Sequence, residues 1–275
     1  NQNLDTPERR YNWLFPADEV AQIFIGSTPR TFEPGEQVQQ SWLDAPVRPA
    51  LWRDRSVVRT GDTMAIRLAA FADGQGNLGE GSSSWFEGGF TTTIKLFADG
   101  EQLLQSDYAN GSLPIPAGAQ DYRLEYVVDN ASPWAALSTH TSSVWSFQSS
   151  QPESGQTRIE PLLTVDYDLD VDLDNRLIAS AKRNGPLTLG FTVGHQNGAP
   201  QLPISSAALE VSYDGGGTWR SVKNVREVAE GRFVASLAAG VPKVNDGTLS
   251  LRMRAQDSAG NTVEQEVLRA VGLPE

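Results

Sequence analysis

Three consecutive stretches decide the fold: TLSLRMRAQ at 248–256, DSAGN at 257–261 and TVEQEVL at 262–268. The outer two are strand candidates, and the middle one is a turn, because Asp, Gly and Asn each supply turn chemistry. Working back towards residue 161, the same rhythm recurs at 162–173, 187–194, 207–213, 218–222 and 231–237. Seven strand candidates in about 115 residues, divided by turn signals, is the pattern of an immunoglobulin- or fibronectin-like β-sandwich. The chain has no cysteine, so this is not a disulfide-linked antibody-type domain, and thiol catalysis and thiolate zinc are excluded.

Strand signals also dominate upstream. In 63–71 (TMAIRLAAF), Met64, Ile66 and Leu68 alternate with small or polar residues. Residues 91–97 (TTTIKLF) lead through 98–101 (ADGE) into 102–105, a hairpin pattern. In 121–129, Tyr122, Leu124, Tyr126 and Val128 share one face, and in 143–149 Trp145 and Phe147 share another. Trp13, Phe15, Ile23, Ile25, Val38 and Trp42 are earlier core candidates, and one helical turn is expected at 18–23. The polar run QSSQPESGQTR at 148–158 has no apolar period. The expected organisation is therefore all-β: a larger β-sandwich over 1–150, a linker over 151–160 and an immunoglobulin-like sandwich over 161–275.

The 275 residues carry 22 Lys and Arg against 34 Asp and Glu, a net charge of −12. Nucleic acid and anionic membranes are excluded as partners, since phosphate contacts need clustered cations. No apolar run reaches the roughly 18 residues of a membrane span. The two histidines, His140 and His195, have no H-E-x-x-H spacing, and no G-x-S-x-G elbow is present. Both read as strand-end or loop residues.

No cofactor is expected, with calcium as the alternative at two places. Asp73 and Asn77, in DGQGN at 73–77, place oxygens as the start of a calcium loop does, though the glycine and the closing Glu are out of position. A Gly-rich surface loop is the other reading. In VDYDLDVDLDN at 165–175, Asp166, Asp168, Asp170 and Asp172 alternate with Val165, Tyr167, Leu169, Val171 and Leu173. That period places acids towards solvent and apolar residues towards the core, with like charges guarding a strand edge. Asp166 and Asp168 are the calcium candidates there.

Ser212, Asp214, Gly216, Thr218 and Trp219 match the Asp-box pattern S-x-D-x-G-x-T-W. In families that carry it the box is a structural hairpin, with Asp bracing the turn and Trp packed beneath. Seven tryptophans also raise sugar stacking, and Trp85 and Trp134, in polar or Pro-containing stretches, are its candidates.

The ordered stretches FADGQGN (71–77), PAGAQDYRL (116–124), VWSF (144–147), PLLTV (161–165), GFTVGHQ (190–196), the Asp box, LRMRAQDSAGN (251–261) and LRA (268–270) resemble a known arrangement. It is the region that follows the catalytic domain in large secreted subtilisin-like serine peptidases of actinomycetes. The likeness runs from about Thr28 to Leu273. The peptidase motifs D-T-G, H-G-T and G-T-S-M-A are missing. The resemblance implies a secreted, non-catalytic accessory region whose partner is the peptidase domain of the same parent chain, with polypeptide substrate or cell-surface polysaccharide as further partners. An independent carbohydrate- or cell-wall-binding module is the alternative.

Overall fold

The computed structural model describes residues 11–13, 24–27, 31, 33–37, 41–52, 54–80, 90–131, 135–178, 187–237 and 246–274. Among them there are strands and turns and no helix. In chain order the strands are β1 (Tyr11–Trp13), β2 (Phe24–Gly26), β3 (Arg48–Leu51), β4 (Val57–Thr60), β5 (Thr63–Ala72), β6 (Leu78–Glu80) and β7 (Phe90–Ala98). There follow β8 (Glu101–Ser106), β9 (Asn110–Pro114), β10 (Gln120–Asn130), β11 (His140–Ser149), β12 (Thr157–Ile159), β13 (Leu163–Asp168) and β14 (Thr188–His195). The last are β15 (Ile204–Ser212), β16 (Arg220–Ser221), β17 (Asn224–Ala229), β18 (Arg232–Ser236), β19 (Thr248–Asp257) and β20 (Thr262–Gly272).

The second half folds as the turn rhythm implies. One sheet runs β13-β14-β18-β17, and the facing strands run β16-β15-β19-β20, all antiparallel. Lettered in chain order, these are the ABED and C′CFG layers of an immunoglobulin-type sandwich. The first half repeats the second layer as β8-β7-β10-β11, covered by the sheet β1-β2-β6-β5-β4-β12 with β3 and β9 also on β5.

The two C′CFG layers are one sheet. Strands β11 and β20 pair from His140↔Leu268 to Ser146↔Thr262, so the eight strands read in the same order from either edge. This relation joins two copies of one strand arrangement through their last strands, without a fixed sequence period to announce it. Buried apolar residues from Ala45 to Leu273 accordingly form one continuous cluster. The segment expected as a linker is part of this body. Its β12 pairs with β4, and Glu160, directly after it, is fully buried.

Alternation places the core as expected in the long strands. Met64, Ile66 and Leu68 are buried, as are Tyr122, Leu124, Tyr126, Val128, Trp145 and Phe147. Strand β13 is shorter than the 162–173 reading. Val165 and Tyr167 are buried and Leu169 and Val171 half-buried against the core, with Asp166, Asp168, Asp170 and Asp172 exposed. The alternation thus outlasts the strand and fails at Leu173, which is fully exposed. The reason is a turn at 172–176, which lifts Leu173 off the sheet. Ile25 is buried and Trp42 half-buried, whereas the side chains of Trp13, Phe15, Ile23 and Val38, and the turn expected at 18–23, lie outside the described residues.

Two fully buried arginines tie the layers together. Arg48, on β3, donates to the carbonyls of Val165 (2.7 Å), Ala72 (3.2 Å) and Asp73 (3.3 Å) and to Asp166 Oδ1 (2.8 Å). Arg59, on β4, donates to Gly61 O (3.0 Å), Pro116 O (2.7 Å) and Ser149 Oγ (3.2 Å). Ser149 in turn donates to the buried Glu160 Oε1 (2.7 Å). Across the halves, the Gln196 side-chain amide accepts from Val57 N (3.1 Å) and donates to Val57 O (2.9 Å), as a strand neighbour would.

Arg48→Met keeps the length and loses every donor, stranding buried carbonyls and leaving Asp166 without its partner. We expect the urea unfolding free energy to fall by roughly 3–5 kcal/mol, measured from the shift in midpoint at constant slope; a loss under about 1 kcal/mol would show that the clamp is dispensable.

Candidate functional site

The acidic residues that the sequence offers as ligands are taken up by a turn or by arginines. In DGQGN at 73–77, Asp73 Oδ1 accepts from Gln75 N (3.0 Å) and Asn77 N (2.9 Å), while Oδ2 accepts from Asn77 Nδ2 (2.8 Å) and Leu43 N (3.0 Å). In DSAGN at 257–261, Asp257 Oδ1 accepts from Ala259 N and Asn261 N (both 2.9 Å). Its Oδ2 takes Asn261 Nδ2 (2.7 Å) and pairs with His195 Nε2 (3.0 Å). Both loops close with the Asp N–H donating to the Asn carbonyl, at 3.1 and 3.0 Å. Both need a left-handed fourth residue, supplied by Gly76 (φ 73°) and Gly260 (φ 92°). The loop at 172–176 is built the same way on Asp172, with Asn175 (φ 57°) in the fourth place.

Asp73 and Asn77 therefore hold each other, with four N–H groups on one carboxylate. Asp166 binds Arg48, and Asp168 binds Arg232 at 3.0 Å. The two pairs of calcium candidates meet only through Arg48, which bonds the Asp73 carbonyl and the Asp166 carboxylate. Among the described residues no three His, Asp or Glu side chains converge in metal-ligating geometry. The free edge of β13 is closed by side chains from elsewhere: Trp145 Nε1 donates to Leu163 O (2.8 Å) and Arg48 to Val165 O.

The Asp box forms the β15–β16 hairpin. Asp214 accepts from Ser212 Oγ (2.6 Å), Thr218 N (2.8 Å) and Thr218 Oγ1 (2.8 Å), and these bonds lower its pKa to about 2. Ser212 Oγ accepts from Gly216 N (2.9 Å). Gly216 (φ 93°) lies so close to Leu268 and Trp219 that a methyl group there would meet Leu268 Cδ2 at 2.7 Å. Trp219 is half-buried with the Arg252 guanidinium 4.0 Å over its ring. Arg252 also binds Glu266 (2.6 Å) and Glu210 (3.4 Å), so the hairpin is anchored to an ion-pair ladder on the outer face.

His140 is half-buried at the start of β11 and pairs through Nδ1 with Asp129 Oδ1 at 2.5 Å. His195, at the end of β14, is buried against Asp257 and lines a cavity of about 700 Å³. That cavity lies among β3, β13, β20 and the turn that follows His195, with Trp52, Trp145, Thr164 and Gln265 in its wall. Thr164 is the one hydroxyl among its described lining residues, and no hydrogen bond joins it to His195. Of the lining residues, the sequence singles out Asp166, as a calcium candidate, and weighs His195, but it points to none of Trp52, Trp145, Thr164 or Gln265 as a site. The repeated D-x-x-G-N pentapeptide was the available signal for the two loops beside it. Trp85 and Trp134, the candidates for sugar stacking, lie outside the described residues.

Compared with known proteins, the chain matches no family model and no curated sequence.

The twin loops differ in electrostatics. Burial pushes both carboxyls up. In Asp257 the bonds from Asn261, His195 and the turn backbone outweigh it and hold the pKa below its ordinary 3.8, whereas in Asp73 burial wins and the pKa is raised. A lowered value in the folded state means that Asp257 contributes stability above about pH 4, lost as pH falls through the folded value. Asp257→Asn should cost roughly 2–4 kcal/mol at pH 7, and urea titrations should show that gap shrinking below pH 3.8. For Asp73 the sign is reversed: the wild-type chain gains from its protonation as pH falls from the raised value towards 3.8. A gap for Asp257→Asn that is flat with pH would refute the assignment.

Proposed function

We propose that the chain is a non-catalytic accessory region of an exported subtilisin-like serine peptidase, which stabilises the peptidase unit or presents substrate or surface to it. The observation that carries the reading is the use made of the ionisable side chains. Asp73, Asp172, Asp214 and Asp257 are filled by N–H and O–H donors of their own turns, and Arg48 and Arg59 by backbone carbonyls. A general base must reach the proton it abstracts. His195, the histidine that lines the cavity, has Nε2 on a buried carboxylate and no hydrogen bond to the hydroxyl in its wall. A body of two sandwiches sharing one sheet, rigidly braced at its turns, suits a scaffold that holds another domain.

The purified chain should release nothing from casein or chromogenic peptides. Expressed together with a subtilisin-type domain encoded upstream in the parent gene, it should lengthen that domain's half-life at elevated temperature. Casein turnover that disappears on His195→Ala would overturn the reading, as would a parent gene with no peptidase domain.

A further inference from the structure

We propose that the cavity between β3, β13 and β20 is a binding site for a neutral saccharide. Its volume of about 700 Å³ falls within the range of small-molecule sites. The wall combines two indoles, Trp52 and Trp145, with the hydroxyl of Thr164 and the amides of Asn197, Gln201 and Gln265. Trp145 is 2% exposed and closes the wall as core, so stacking falls to Trp52. That indole is half-buried with the Arg67 guanidinium 4.3 Å over its ring, and it leaves its other face for the C–H face of a pyranose. Amides and hydroxyls both donate and accept.

Charge narrows the ligand. Among the described lining residues there is no Lys or Arg, and the carboxylate of Asp166 is tied to Arg48 at 2.8 Å. A phosphate or carboxylate would find no Lys or Arg in the wall to pair with, and one acid.

Two wall residues carry unmatched polar atoms. Gln265 is 2% exposed, and its amide nitrogen donates to Pro49 O (3.1 Å) and Ser143 Oγ (2.8 Å). The Pro49 carbonyl can only accept, which fixes the amide orientation and leaves Gln265 Oε1 as an acceptor with no donor. Trp52 Nε1 is a donor with no acceptor. Both atoms are buried, and binding requires the side chains to rotate so that a bound sugar hydroxyl reaches them. A hydroxyl group answers either need. A peptide amide does too, but peptides dock along an open strand edge or groove, and the free edge of β13 is already closed by Trp145 and Arg48.

The test is a titration of the intact chain with glucose, xylose, galactose, N-acetylglucosamine and a β-1,4-linked glucose disaccharide, read by tryptophan fluorescence and calorimetry. A tryptic digest of casein serves as the peptide arm. We expect saturable binding of at least one sugar with Kd between about 10 μM and 1 mM. Trp52→Phe, which keeps a ring and deletes the N–H, should weaken it about tenfold. Thr164→Phe, at a half-buried position, should block it while leaving the urea midpoint in place. The proposal fails if no sugar gives a saturable signal, if only the digest binds, or if binding survives both variants. It also fails if binding is lost in Trp85→Ala or Trp134→Ala but kept in Trp52→Phe. The accessory role makes no demand on this titration, so a negative result here leaves that reading untouched, and casein turnover would not remove the sugar site.

Discussion

A guanidinium with no route to water must find its hydrogen bonds inside the protein, and the fold is arranged around one that does. Arg48 sits at the meeting point of β3, the end of β5 and β13, and takes its acceptors from all of them. Desolvating such a group costs several kcal/mol, recovered only when acceptors are in place around it. The strand from the first half and the edge strand of the second can therefore meet in one arrangement. The same residue fixes the Val165 carbonyl, closes half of the β13 edge, and holds the Asp166 carboxylate at the rim of the cavity. Arg59 performs the equivalent task at the other end, where Gly61, Pro116 and Ser149 converge on it.

That arrangement was partly readable in advance. Long strands with clean alternation, such as β7, β10 and β14, declared themselves because one face is more deeply buried than the other. Strand β5 did so over its first half, before both faces become buried from Leu68 on. Strands β3, β4, β6, β9, β12 and β17 did not. They are three to six residues long, and several break the apolar period: β3 begins with the buried Arg48, and β17 is almost wholly exposed. Hydropathy places an arginine on the surface, so a core built around Arg48 and Arg59 runs against the strongest signal a sequence offers. The 148–158 stretch looked like a connector for a related reason. Its polar residues serve the network of Ser149, Arg158 and Glu160, and buried polar networks have the composition of loops.

The cavity was less readable still, for a different reason. Its wall is assembled from residues near 50, 145, 164, 196 and 264, and no local spacing records such a convergence. The depth of the cavity depends on the β11–β20 join, which sets the two sandwiches side by side in one sheet and leaves the ends of β3 and β13 facing each other across the seam. Trp145 shows how closely the two are linked. Its alternation within 143–149 marks it as core, which it is, yet its indole N–H reaches across to Leu163 O and its ring borders the cavity.

The acidic balance of the chain has a cause in the fold itself. A turn whose first residue is Asp can place two or more backbone N–H groups on one carboxylate, as the loops at 73–77, 172–176 and 257–261 do. The Asp box fills Asp214 with one backbone N–H and two hydroxyls. A fold made of short strands needs many turns, and a solution that works in one turn works in the next, so aspartates accumulate without any cation to neutralise. The net charge of −12 then follows from turn chemistry as much as from the identity of any partner. The surface still repels polyanions, but acids already saturated by N–H donors are poor metal ligands and poor general bases. In this chain the density of carboxylates marks where the backbone reverses, and chemistry is better sought where polar groups lack partners, as they do beside Trp52 and Gln265.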